Sequence, residues 1–163
     1  MFGREDLQCR SPVGSLREAL IGAWQLVSCV ETDVETREIF LPMGPNPVGF
    51  ILYTPDGYMS AQLSSQDRAD FASGDMYRGA PEEYVVAGIS YLAYSGPYRV
   101  DEARRTVEHG MDVSLFPNWQ GQRQLRIPEL DGETPVLATD RPTLFAGSLK
   151  TARITWRRAM PNL

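Results

Sequence analysis

The chain has 163 residues, a formal net charge of −5 and 42% hydrophobic residues, enough for one domain with its own core. This composition excludes extensive disorder. Its basic residues are scattered, in short pairs such as Arg104-Arg105 and Arg157-Arg158, which excludes the clustered cations that nucleic acid requires. No apolar run reaches the roughly 18 residues of a membrane span, and Met1 to Gly14 lacks the apolar core of a secretory signal. Cys9 and Cys29 read as free thiols, which points to a reducing, cytoplasmic location.

Residues 1–15 mix charge, Gly, Ser and Pro without periodicity and read as a flexible lead-in to a single domain over 16–163. Leu16 to Ile21 suits a short helix, with Leu16, Ala19 and Leu20 on one face. From Gly22 the period changes. Trp24, Leu26 and Ser28 alternate with Gln25, Val27 and Cys29, a strand with apolar groups on both faces. Val48 to Tyr53 and Tyr58 to Leu63 flank Thr54-Pro55-Asp56-Gly57, where Pro55 presets φ and Gly57 accepts a positive φ. That is a β-hairpin.

Residues 64–80, rich in Ser, Asp, Gly and Arg, form a long loop of the sort that often covers a site. Pro81-Glu82-Glu83 opens a helix, because proline suits the first helical position and acids favour the positive N-terminal dipole. The spacing of Val85, Ile89 and Leu92 extends it to about Leu92, and Gly96-Pro97 marks a break. Strands then follow at Tyr98–Val100, Thr106–Val113, Gln122–Leu130, Thr134–Ala138 and Thr151–Arg158. They are separated by turn chemistry at Asp101-Glu102, Phe116-Pro117-Asn118, Asp131-Gly132 and Gly147. Strands in succession with one inserted helix predict an all-β, antiparallel up-and-down fold. Closure into a barrel would remove its exposed edges.

Gly22-Ala23-Trp24 resembles the lipocalin signature Gly-x-Trp, in which the tryptophan closes the bottom of the barrel under an arginine from the last strand. Gly22 and Trp24 are then the structural signature, and Arg157 or Arg158 the covering arginine. Longer stretches resemble the short intracellular lipocalin-like domain proteins of microbes. They are Met43–Gly49, Tyr53–Ala61, Gly79–Tyr84, Tyr94–Asp101 and Ser114–Gly121, in order along about residues 19–159. Where that family usually shows an aromatic in its Gln-x-Arg strand, this chain has Pro128, which interrupts strand pairing by removing a donor. The resemblance implies a lipocalin-like barrel with one pocket for an apolar small molecule. Some such barrels act as cofactor-free cyclases or isomerases in polyketide or terpenoid secondary metabolite biosynthesis; others only bind.

Strand parity places Val107, His109, Met111 and Val113 on one inward face. The chain's only histidine is thereby a candidate proton shuttle, or else a core residue bonded to a tyrosine or carbonyl. The family's parity puts Gln124, Arg126 and Leu130 together. An inward Arg126 would orient a carboxylate or enolate, or form a salt bridge in the barrel floor. Tyr94 joins His109 and Arg126 as a candidate catalytic group, since tyrosine hydroxyls stabilise oxyanions. Tyr53, Tyr91 and Tyr98 supply aromatic walls with polar tips. With Met59, Met111, Phe116, Asn118, Trp119 and Gln124 they make up the candidate substrate contacts.

Nothing in the sequence suggests a bound cofactor or metal. Dinucleotide and phosphate-loop fingerprints are missing, as are a Cys/His cluster and a nucleophile elbow. Two readings follow. The first is a cofactor-independent cyclase or isomerase that preorganises an apolar intermediate; the alternative is a non-catalytic carrier of a hydrophobic small molecule. Neither fixes the oligomeric state, monomer or homodimer.

Overall fold

The computed structural model describes residues 14–130 and 134–162; Cys9, most of the lead-in and the Asp131-Gly132 turn lie outside them. The described strands are β1 (Gly22–Asp33), β2 (Ile39–Phe40), β3 (Val48–Tyr53), β4 (Tyr58–Ser64), β5 (Tyr91–Asp101), β6 (Thr106–Gly110), β7 (Val113–Ser114), β8 (Arg123–Glu129), β9 (Val136–Thr139), β10 (Thr143–Phe145) and β11 (Ser148–Arg158). Eight of them close an antiparallel ring in the order β1-β3-β4-β5-β6-β8-β9-β11, with β11 returning to β1. The short β2, β7 and β10 extend β1, β5 and β11. The hairpin forms as its turn chemistry dictates: Gly57 has φ +97°, and its N–H donates to the Thr54 carbonyl at 3.2 Å.

One end of the barrel is plugged by helix α1 (Leu16–Leu20). Ser15 caps it reciprocally with Glu18, each satisfying an amide that the first turn leaves free. The Glu102 carboxylate, between β5 and β6, accepts the Leu16 and Arg17 amides at 2.8 and 3.0 Å and holds the helix across the opening. Leu16 and Leu20 are buried there against the core. The Trp24 indole donates to the Leu20 carbonyl at 2.8 Å.

Two bulges set which side chains point inward. Against β11 the register of β1 slips by one residue between Leu26 and Ser28. Trp24 and Leu26 face in, Val27 is exposed, and Cys29, Glu31 and Asp33 then take the inward parity. The second lies beside β5, where Tyr98 faces His109 but Ser95 faces Val113. One extra residue between β6 and β7 reverses the expected parity, so Val113 is 66% exposed while Val107, His109 and Met111 are buried.

Several sequence expectations are corrected here. Gly96-Pro97 does not break the chain; both lie inside β5. A Cβ on Gly96 would sit 2.1 Å from the Gly110 carbonyl oxygen, so the glycine permits the close approach at the second bulge. Helix α2 (Pro81–Ile89) ends three residues early, because the Ser90 carbonyl accepts the Ser65 amide and draws Tyr91 into register with Ser64. Its Val85 and Ile89 are exposed. Strand β8 runs through Pro128, which lies opposite Leu137 and beyond the last β6 partner, Val107↔Arg126.

Gly96→Ala is expected to lower stability by about 1–3 kcal/mol, the usual cost of overpacking. A urea denaturation midpoint equal to that of the parent protein would contradict the close approach.

Candidate functional site

The half of the barrel around α1 is filled, by Trp24, Ile51, Tyr53 and Trp156 among others. The opposite half holds a cavity of about 320 Å³, small by the standard of ligand pockets. Leu63, Leu92, Leu137 and Ile154 form apolar walls, with Cys29 and Met43 beside them. Ile89, Phe116, Leu144 and Phe145 also line it, the first three exposed to solvent. Phe116 packs edge-on against Trp119 at 5.7 Å between centroids, and Trp119 against Tyr94 at 6.0 Å.

Among the residues singled out from sequence, Tyr91, Tyr94, Phe116, Trp119 and Arg126 line this cavity. Tyr91 brings only its ring, because its hydroxyl donates to Gln62 at 2.5 Å. The Tyr94 hydroxyl has no hydrogen-bond partner among the described residues. Tyr53, Met59, Met111 and Tyr98 are instead packed in the core, and the Tyr98 hydroxyl donates to the Thr54 carbonyl at 2.8 Å. Asn118 is exposed on the 3-10 turn Pro117–Trp119. Gln124 supports Arg126 rather than lining the space.

Arg126 is the charged group of most consequence. It is 7% exposed and has no carboxylate partner among the described residues. Its guanidinium donates to the Leu125 carbonyl at 3.1 Å and to the Gln124 amide oxygen at 2.5 Å. Those two contacts leave part of its five-donor fork unused. A buried charge of this kind is costly unless an acceptor completes it.

His109 lies behind the cavity wall, fully buried. Its Nε2 shares a 2.8 Å hydrogen bond with the Tyr53 hydroxyl, while Nδ1 has no partner among the described residues. Burial first, then the charge of Arg126, pushes its pKa well below 6.5. Burial likewise raises the Tyr53 hydroxyl well above 10. The pair is therefore a neutral imidazole against an un-ionised phenol. Tyr94, whose ring centroid is 6.1 Å from His109, is the neighbour that reaches the cavity.

Sequence reasoning missed Cys29, Glu31, Thr139 and the β10 residues Leu144 and Phe145, all of which line the cavity. Cys29 and Glu31 were hidden by the bulge at Val27, which no residue type announces. Burial pushes the Cys29 thiol up to about 12, so it is an inert wall group. The loop 64–80, expected to cover a site, folds against α2 instead. Arg68 donates to the Ala87 carbonyl and the Ser90 hydroxyl, and Phe71 packs edge-on against Tyr84.

A family model described as a lipocalin-like domain matches residues 21–159. The chain belongs to that family. Its signature end follows the pattern the resemblance implied, and the covering arginine is Arg158, not Arg157. The Arg158 guanidinium lies 3.7 Å from the Trp24 ring centroid and donates to the Ile21 and Ala19 carbonyls, while Arg157 turns outward to Gln25. This lipocalin-like chain is 32% identical over 111 residues to the 4'-hydroxy-3'-methoxypropiophenone carrier protein ppsC of Aspergillus oryzae, a match covering 64% of this chain and 99% of that protein. It is also 28% identical over 115 residues to a sterol 14-alpha demethylase of Aspergillus flavus, covering 70% of this chain but 20% of that protein. A shorter segment of 36 residues is 56% identical to the sterol 14-alpha demethylase rstn2 of Aspergillus nomiae, 7% of that protein. No helix among the described residues is long and apolar enough to cross a membrane. No group of metal ligands occurs among them. The lipocalin-like fold and the carrier relative support binding of a hydrophobic small molecule.

The depressed His109 pKa fixes a pH dependence. Below its ordinary value of 6.5 the unfolded chain takes up a proton that the folded chain refuses. The stability is therefore complete above that pH and falls on acidification, by up to about 1.4 kcal/mol per pH unit. Glu31, whose carboxyl is raised by burial, acts with the opposite sign at lower pH. Urea midpoints between pH 5 and 7 check this: the decline should vanish in His109→Asn, and a parent protein with a flat profile would show that His109 charges freely.

Proposed function

We propose that this protein binds and carries a compact, mostly apolar molecule, about the size of one substituted aromatic ring, whose oxygen acceptor is held by Arg126 and Tyr94. The observation that carries the reading is a buried guanidinium, without a carboxylate partner among the described residues, in the wall of a mostly apolar cavity. Apolar walls provide the driving force for transfer from water. A carbonyl, enolate or carboxylate oxygen would complete the unused fork of Arg126 and accept from the Tyr94 hydroxyl. The likeness to an aryl ketone carrier, most of whose length this chain matches, supports the same class of ligand.

A second reading uses the same two groups. An acceptor gripped by a buried cation and a phenol is also a stabilised enolate, the intermediate of a cofactor-free cyclisation or isomerisation. What favours it is that Arg126 and Tyr94 line the same cavity. It has a weaker base than the sequence suggested, because His109 is neutral, bonded to Tyr53 and behind the wall. Carriage therefore stands first.

The test is a titration with para-hydroxypropiophenone, following Trp119 fluorescence. Arg126→Met is expected to weaken binding by about tenfold or more, the value of a charge-assisted hydrogen bond. The urea midpoint should hold or rise, because an unpaired buried charge is removed. Unchanged affinity in that variant would overturn the assignment. Mass spectra of the incubated ligand separate the readings: an unchanged ligand is carriage, and a rearranged product is catalysis.

A further inference from the structure

The cavity holds a second charged group that neither the fold nor the guanidinium explains. Glu31 faces inward from β1 because the bulge at Val27 shifts the parity of that strand, and it lines the same space as Arg126. The two occupy one lateral row of the barrel wall. Glu31 lies opposite Ala152 on β11, the Ala152 amide donates to the Thr139 hydroxyl on β9 at 3.0 Å, and Thr139 lies opposite Arg126 on β8. Three inter-strand steps of about 4.8 Å put the two backbones about 14 Å apart around the wall. The two side chains between them, Ala152 and Thr139, are small. Glu31 and Arg126 thus line the cavity from strands three steps apart in one row of the wall, with little side-chain bulk between them.

Glu31 is half-buried, and its carboxyl is raised by desolvation. It forms no hydrogen bond or ion pair among the described residues. The cation nearest to it in effect is Lys150, which lowers the Glu31 pKa somewhat. Lys150 is nevertheless committed elsewhere: its ammonium donates to the Phe145 carbonyl at 2.5 Å and sits 4.5 Å from the Phe40 ring centroid. A partly desolvated carboxylate that only accepts hydrogen bonds gains most from a donor arriving with the ligand. That donor is a neutral hydroxyl rather than an ammonium, since Arg126 and Lys150 outweigh Glu31 in charge and repel a cation.

We infer that Glu31 is a second polar contact of the site, and that the cavity selects a bipolar ligand with a carbonyl-type acceptor at one end and a hydroxyl donor at the other. This rests on the proposed ligand-binding role and narrows it. Arg126 and Tyr94 take the acceptor, Glu31 takes the hydroxyl, and the apolar walls hold the flat part between. A molecule with only one of these ends leaves either the buried Arg126 or the half-buried Glu31 unserved.

Three probes test this on the full chain: para-hydroxypropiophenone, with both ends; propiophenone, with the acceptor alone; and para-propylphenol, with the donor alone. The parent protein is expected to bind the first about tenfold more tightly than either of the others. Glu31→Met should abolish the advantage of para-hydroxypropiophenone over propiophenone, leaving propiophenone itself within about twofold. Glu31→Gln, which keeps the shape and removes the charge, should lose a part of that advantage, about threefold. Arg126→Met should spare para-propylphenol and weaken the two ketones. Equal affinity of the parent protein for all three probes overturns the bipolar site while leaving ligand binding in place, as does an equal loss for all three in both Glu31 variants. Failure of every probe to bind overturns the binding role itself.

Discussion

The pairing of β1 with β11 is the constraint from which the rest follows. It joins the first and last long strands, converting a meander with two exposed edges into a ring with none. Because the register is continuous from Trp24↔Arg158 to Asp33↔Lys150 apart from one slip, the seam brings both ends of the barrel into place at once. At one end Arg158 lies on Trp24 and α1 is drawn over the opening. At the other, Lys150 is tied to Phe145 and Phe40, which fixes the β10 turn and the short β2 at the rim. The single slip in this seam turns Cys29 and Glu31 into the interior.

Much of this was legible because alternation and turn chemistry are local signals. The hairpin around Thr54–Gly57, the start of α2 at Pro81 and the inward parity of His109 followed from spacing and turn chemistry, while the face of Arg126 was implied by the family resemblance. What could not be read depended on contacts between distant strands. The bulges beside Val27 and after Gly110 exist because one strand carries an extra residue relative to its partner. Gly96 looked like a chain breaker because glycine beside proline normally is one; here it makes room for a carbonyl from β6. Tyr91 and Leu92 fitted a helical period but were claimed by pairing with β4.

The candidate site was legible to a similar degree and for similar reasons. Arg126 lies on the face that the family's parity implied, and Tyr94, singled out as a residue type without a strand, lines the cavity from β5. Tyr53, Met59 and Met111 also face inward, but at a depth where the barrel is solid. Parity gives direction and not depth, and depth decides whether an inward group meets a ligand or a neighbour. His109 shows the difference most clearly. Its inward position invited a proton-transfer role, yet at its level it is enclosed by Tyr53 and Tyr94 and held neutral.

The plug at the α1 end has a consequence for traffic. With Trp24, Leu20 and Trp156 filling that half among the described residues, a ligand carried as proposed would leave by the end at which it entered. Under that proposal uptake and delivery would share one opening, on the side where the cavity-lining Ile89 and Phe116 are exposed. A recipient would then have to meet the barrel at that opening, and while docked there it would also bar the next load.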